Sequence, residues 1–153
     1  MSRLRLISLA TLVAAALSLV ACGGDTAKNN DYVDQVNEVT TTLQSAIQEI
    51  GQGGTVNSPE QASAVFDDFA AKINTAATDL EGITPPDEVA DQHKKIVADL
   101  KALATEATGA ANDIKSGGAA AVPGVAAGFI AQAQKLGGEI DSTIDEINSK
   151  LQG

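Results

Sequence analysis

The chain is poor in the side chains that most chemistry and most cross-linking require. It has one cysteine, one histidine, one methionine, one tyrosine and no tryptophan in 153 residues. A single cysteine excludes an internal disulfide framework. One histidine and one cysteine leave no nitrogen–sulfur ligand set for zinc. Bases are scarce as well: ten Lys and Arg face twenty Asp and Glu, for a formal charge of −10 at pH 7. A protein that neutralises phosphates needs clustered Lys and Arg, so the charge balance excludes a nucleic-acid binder. The four prolines and 14 glycines follow no three-residue period, which excludes a collagen-like repeat. The length suits one domain behind a targeting segment.

The first twenty-two residues carry such a segment. Arg3 and Arg5 form a basic start, and no acid appears before Asp25. Residues 6–21 are uncharged, with an apolar centre over residues 9–17. That run is shorter than the roughly 20 residues of a membrane-spanning helix and ends in small residues, the pattern of a cleaved secretory signal.

Leu19-Val20-Ala21-Cys22 resembles the lipobox of bacterial lipoproteins. The resemblance implies cleavage between Ala21 and Cys22, a thioether from Cys22 to diacylglycerol, and often N-acylation. The expected organisation is a signal peptide over residues 1–21, a lipidated cysteine and tether over 22–30, and a helical domain over 31–153. An ordinary secreted protein would instead leave Cys22 as an unpaired thiol in an oxidising compartment. Lipidation would place the protein on the extracytoplasmic side of the cell membrane, held by acyl chains at about 0.8 kcal/mol per buried CH₂. Removing Arg3 and Arg5 leaves eight lysines against twenty acids, so anionic lipid headgroups would repel rather than hold the domain.

Beyond the tether, apolar residues recur at helical spacing. Val33, Val36, Leu43, Ile47 and Ile50 mark a first helix, capped by Asn30 or Asp31 and ended by Gly51. Ser58-Pro59-Glu60-Gln61 is a start signal, with Ser58 as cap, Pro59 at the first helical position and Gln61 placed to bond back. The stripe that follows is Ala62, Val65, Phe66, Phe69, Ile73, Ala76 and Leu80. Thr84-Pro85-Pro86-Asp87 repeats that logic for a third helix bearing Val89, Ile96, Leu100, Leu103, Ala107 and Ile114. A fourth helix begins near Pro123 and carries Val125, Phe129, Leu136, Ile140, Ile144, Ile147 and Leu151, with a kink expected at Gly137-Gly138. Four amphipathic segments with short connections predict an all-α, up-down-up-down four-helix bundle. A three-helix bundle with residues 119–135 folded irregularly is the competing architecture.

Few residues point to chemistry. His93 sits four after Val89 and three before Ile96, on or beside the apolar stripe. It would be a general base or pH sensor if exposed to a substrate, and otherwise a histidine at the bundle end bonded to a carbonyl or carboxylate. No serine lies in a Gly-x-Ser-x-Gly context. The acidic pairs Asp67-Asp68, Asp87-Glu88 and Asp145-Glu146 fall on helices, where neighbours diverge by about 100° rather than converge on calcium. Asp87 and Glu88 suit the positive end of a helix. Gly51, Gly53 and Gly54 lack the strand and lysine of a phosphate loop. No catalytic, metal or cofactor site is therefore expected. Residues 116–134 carry no charge and include the small-xxx-small run Gly124-Val125-Ala126-Ala127-Gly128. They are expected to form a turn and the most buried half of the last helix; the alternative is an exposed surface that touches lipid or a partner.

The lipobox, the Gly-rich tether, the acidic Ala-rich helices and Pro85-Pro86-Asp87-Glu88-Val89 before His93 together resemble small helical lipoproteins common in actinobacteria. That resemblance implies location and fold class, and no active residue beyond Cys22. Three functional expectations follow. A non-enzymatic interaction or structural module, meeting an envelope protein partner, needs a solid core. A binder of a small amphiphile needs an apolar cavity of roughly 300–1,000 Å³, here among the alanines and glycines of the third and fourth helices. An enzyme needs His93 against a carboxylate or a serine. The residues favour the first.

Overall fold

A computed structural model describes residues 26–52 and 58–152, with the side chains of residues 28–41 and 58–151. The expected signal peptide over residues 1–21, Cys22, Gly53 and Gly54, and the side chains of Leu43, Ile47 and Ile50 lie outside the described residues. Four helices account for the fold: α1 (Thr26–Gln52), α2 (Pro59–Glu81), α3 (Ala90–Gly117) and α4 (Val122–Gln152). One-turn 3-10 helices, Asp87–Val89 and Gly118–Ala120, precede α3 and α4. Among the described residues there is no strand.

Cross-helix contacts fix the directions. Gln35, Glu38 and Val39 of α1 lie beside Asp79 and Ile83 at the end of α2. Lys115, near the end of α3, pairs with Asp67 near the start of α2 at 2.7 Å, and Lys101 pairs with Glu81 at 2.7 Å. Lys150, near the end of α4, donates to the Glu88 carbonyl at 2.9 Å and to Gln92 Oε1 at 3.0 Å. Each helix runs against the one before it, so the topology is the expected up-down-up-down bundle. α2 and α3 share the most extensive interface, and α4 packs on α3.

The stripes read from the sequence form the core. Phe69, Ile73 and Leu80 of α2 meet Ile96, Leu100 and Leu103 of α3, with Tyr32, Val33 and Val36 of α1 and Ile140 and Ile147 of α4 closing around them. Ala70, Ala77, Ala104 and Ala107 sit in the same core. Methyl-sized side chains let the helix axes approach but bury less apolar area per residue. At the far end from Tyr32, the Phe129 ring stands edge-on to Phe66 and Phe69, with centroids 5.0 and 5.6 Å away; such aromatic pairs add about 0.5–1.5 kcal/mol beyond their area.

Helix starts follow local chemistry, with two corrections. Ser58 caps α2 as expected, extended at φ −147° and accepting from the Gln61 N–H at 3.3 Å, with Pro59 in the first turn. Thr84 does not cap α3. Each residue before a proline is pushed to extended backbone, so Thr84 and Pro85 stay outside the helix. Pro86 leads only into the 3-10 turn, without a side-chain cap, and α3 begins at Ala90. α1 starts at Thr26 rather than at Asn30 or Asp31, so residues 26–30 are helix and not tether. No breaker stands in Thr26-Ala27-Lys28-Asn29-Asn30, and once Tyr32, Val33 and Val36 are docked, extending a helix costs only tenths of a kcal/mol per residue. α4 is continuous helix through Gly137 and Gly138.

A third correction concerns residues 116–134. Rather than the most buried half of the last helix, none of them is fully buried; the core positions of α4 are Ile140, Thr143 and Ile147. Absence of charge permits burial but does not drive it. Burial needs large apolar groups at helical spacing, and in this part of α4 Val122, Val125, Ala126, Phe129 and Ala133 are half-buried. The α3–α4 turn explains the paired glycines. Gly118 has φ +64°, the left-handed region, and a Cβ on Gly117 would lie 2.6 Å from that of Ala121.

Ile73 is fully buried and Ile130 is 47% exposed. Truncating Ile73 to alanine is therefore expected to cost about 2–5 kcal/mol in urea unfolding, and Ile130→Ala less than about 0.5 kcal/mol. Equal losses at the two sites would refute the assignment of the first half of α4 to the surface.

Candidate functional site

His93 lies one turn into α3 and is buried, at 4% exposure. Its apolar placement puts the ring against α1 and the end of α2. The Tyr32 hydroxyl lies 3.3 Å from His93 Nδ1, and the two rings are tilted by 56° with centroids 5.8 Å apart. The Leu80 backbone carbonyl also faces the ring as an acceptor. In the tautomer protonated at Nε2, Nδ1 accepts from the phenol. Burial pushes the His93 pKa below its ordinary 6.5, and the Leu80 bond offsets this only in part. Burial also pushes the Tyr32 hydroxyl up to about 12. The site thus joins α1, α2 and α3 through neutral groups.

The sequence offered a histidine at the bundle end bonded to a carbonyl or carboxylate; the ring is buried there with a phenol as its side-chain partner. Among the described residues the polar groups against the His93 ring are the Tyr32 phenol and the Leu80 carbonyl, not a carboxylate or a serine. A general base needs reach to a substrate proton. These neighbours give a structural link across 61 residues instead.

The acidic pairs separate. Asp67 is held by Lys115 and Asp68 by Lys72, the latter at 3.0 Å. Asp87 and Glu88 begin the 3-10 turn. Glu146 accepts from Gln92 at 3.3 Å. Asp141 is held above the usual carboxylate range by burial first and then by Asp145 one turn on. Among the described residues no three His, Cys, Asp or Glu side chains converge as a metal would require. A depression of about 270 Å³ opens between α1 and α2, lined by Gln35, Glu38, Val39, Asp79 and Ile83. It lies away from the α3–α4 position expected for an amphiphile, and two carboxylates stand in its wall.

The other feature is the first half of α4. Between Lys115 and Lys135 no charge interrupts its surface. Gly124, Ala127, Gly128, Ile130 and Ala131 are all exposed. A Cβ at Gly124 or Gly128 would meet nothing within 4 Å. Glycine within a helix costs about 1 kcal/mol relative to alanine, and no packing inside the domain calls for it here. Among the described residues no helix is long and apolar enough to cross a membrane.

Sequence reasoning singled out His93 but missed Tyr32 and Ile130 as participants. Tyr32 adjoins Val33 on the apolar face of α1, a signal of burial, but its meeting with His93 depends on the register between helices. No family model, curated protein or solved structure matches this chain.

Tyr32 is the only tyrosine and there is no tryptophan, so tyrosinate absorbance reads this one group. The folded protein is expected to titrate near 12 and the urea-unfolded chain near the ordinary 10.0. The raised value stabilises the fold fully below pH 10 and is lost as pH climbs toward 12. A folded-state midpoint near 10 would mean that the phenol is solvated.

Proposed function

We propose that the protein is a lipoprotein anchored to the extracytoplasmic face of the cell membrane through Cys22, and that its helical domain is a non-enzymatic interaction module of the cell envelope. The anchor rests on Leu19-Val20-Ala21-Cys22 behind a basic, then apolar, leader. Two or three acyl chains supply firm attachment, and an acidic domain contributes none.

The observation that carries the interaction role is the exposed, uncharged first half of α4 on a chain of net charge −10. Docking strips water from the surface it covers, and charged groups resist that far more than Gly, Ala or Ile do. On this molecule the α4 surface is the least costly to cover. Its position suits the role. The start of α1, four residues beyond Cys22, shares one end of the bundle with the end of α4. The Phe129 region lies about 20 residues back along α4, or roughly 30 Å at 1.5 Å per residue. A contact there faces away from the bilayer.

Intact mass spectrometry of the detergent-extracted membrane fraction is expected to show a chain that starts at Cys22 and carries diacylglycerol. Cys22→Ala should abolish both the lipid and the membrane association, whereas a soluble, unacylated product from both strains would sink the anchor. For the docking surface, photo-cross-linking from position 127 in intact cells is expected to give adducts that Ile130→Glu reduces at least severalfold. Adducts of equal yield from position 145, on the charged face, would count against it.

A further inference from the structure

We propose that Tyr32 and His93 form an acid-released latch that holds α1 against the α2–α3 pair. The physical basis is the hydrogen-bond inventory around one buried ring. In the neutral ring protonated at Nε2, Nδ1 accepts from the Tyr32 phenol, with the Leu80 carbonyl facing the ring from α2. A second proton on the ring turns Nδ1 from acceptor to donor. The Tyr32 hydroxyl must then rotate to accept, and its own proton loses the partner it had. A buried cation is added at the same step.

No charge stands ready to receive that cation. From α1 the group that faces the ring is the Tyr32 phenol, while Asp31 and Asp34 on either side are exposed. From α2 it is the Leu80 carbonyl; Asp79 and Glu81 point to solvent, and Glu81 is taken by Lys101. From α4 the charged groups near the first turn of α3 are Glu146 and Lys150, engaged with Gln92 and the Glu88 carbonyl. The exposed Asp87 and Glu88 belong to the 3-10 turn below it. On α3 itself the positions one turn away are Val89, Ala90, Ile96 and Val97, all apolar. Among the described residues no carboxylate forms an ion pair with His93.

The weak side of this arrangement is α1. It rests chiefly on α2, whereas the α2–α3 and α3–α4 interfaces are larger. Relief of the buried cation therefore comes from lifting the start of α1, which lets water reach the ring, and not from parting α2 and α3. The sign is set by linkage. A histidine whose pKa is lowered by burial supports the closed state above its ordinary 6.5 and withdraws that support as pH falls below it. Where the ring titrates normally when open and takes up no proton when closed, lowering pH from about 7.5 to about 5.5 raises the open population about tenfold, which is the upper limit of the effect. The latch does not depend on the lipoprotein reading. If that reading holds, the released helix is the one that leads to the anchor.

Hydrogen–deuterium exchange of the full chain in detergent tests the latch. After correction for intrinsic exchange, peptides covering residues 28–41 are expected to exchange up to about tenfold faster near pH 5.5 than near pH 7.5, with α2 and α3 peptides unchanged. His93→Gln should flatten that ratio. A wild-type α1 that exchanges independently of pH overturns the proposal, as does a ratio that survives in His93→Gln. Should that variant lose its helicity, NMR titration of the wild type replaces it, because the sole histidine gives an unambiguous ring signal. A ring midpoint below 6.5 that coincides with the loss of α1 protection supports the latch. A midpoint at or above 6.5 with α1 fully protected rules it out.

Discussion

The close antiparallel packing of α2 on α3 is the constraint from which the rest of the molecule follows. Ala70, Ala77, Ala104 and Ala107 set the distance, and Phe69, Ile73, Leu100 and Leu103 fill the space that distance leaves. Their register places the Leu80 carbonyl beside the first turn of α3, so the His93 ring has a partner before α1 is considered. It also leaves two grooves, one occupied by the start of α1 and the other by the second half of α4. Both outer helices are held by residues near the same end of the bundle, Tyr32 to Val36 on one and Ile140 to Ile147 on the other. Toward the opposite end the described core holds the three phenylalanines together with the buried Ala62, Ala111 and Ile114.

Lysine placement records that register without providing much of its energy. Lys101 and Lys115 tie α3 to α2, and Lys150 ties α4 to the start of α3. These groups are exposed, so each pair contributes less than about 1 kcal/mol and weakens further in salt. Their value lies in direction. A parallel or slipped arrangement would set acids against acids on a chain with twice as many acids as bases. The remaining carboxylates stay in water, where mutual repulsion keeps copies apart and leaves uncharged surface as the place where approach is least opposed.

How much of this was legible in the residues differs by feature. The four helices and their core stripes were, because Ile73, Leu80, Ile96 and Leu100 are large, apolar and spaced at the helical period. Ser58-Pro59-Glu60-Gln61 was legible for the same local reason. Two consecutive prolines were misread as a helix start, since each one bars its predecessor from helical backbone. The start of α1 was placed late because polar residues without a breaker neither begin nor end a helix unaided; docking of Tyr32 and Val33 decides it. Residues 116–134 were assigned to the interior on their lack of charge, although Gly and Ala have little surface to bury. The His93 partners were out of reach for a different reason. Periodicity orders residues within a helix, while the meeting of Tyr32, Leu80 and His93 depends on the phase between three of them.

An even number of antiparallel helices also returns the chain to the level from which it set out. The backbone enters the bundle at Thr26 and leaves α4 at Gln152 beside the first turn of α3, so entry and exit share one pole. The α3–α4 turn, with Gly118 at its left-handed position, occupies the other pole. Material spliced into that turn projects outward along the bundle axis, whereas material appended beyond α4 crowds the pole at which the chain enters. The two sites are equivalent in sequence terms, as breaks between or after helices, but the fold gives them opposite surroundings.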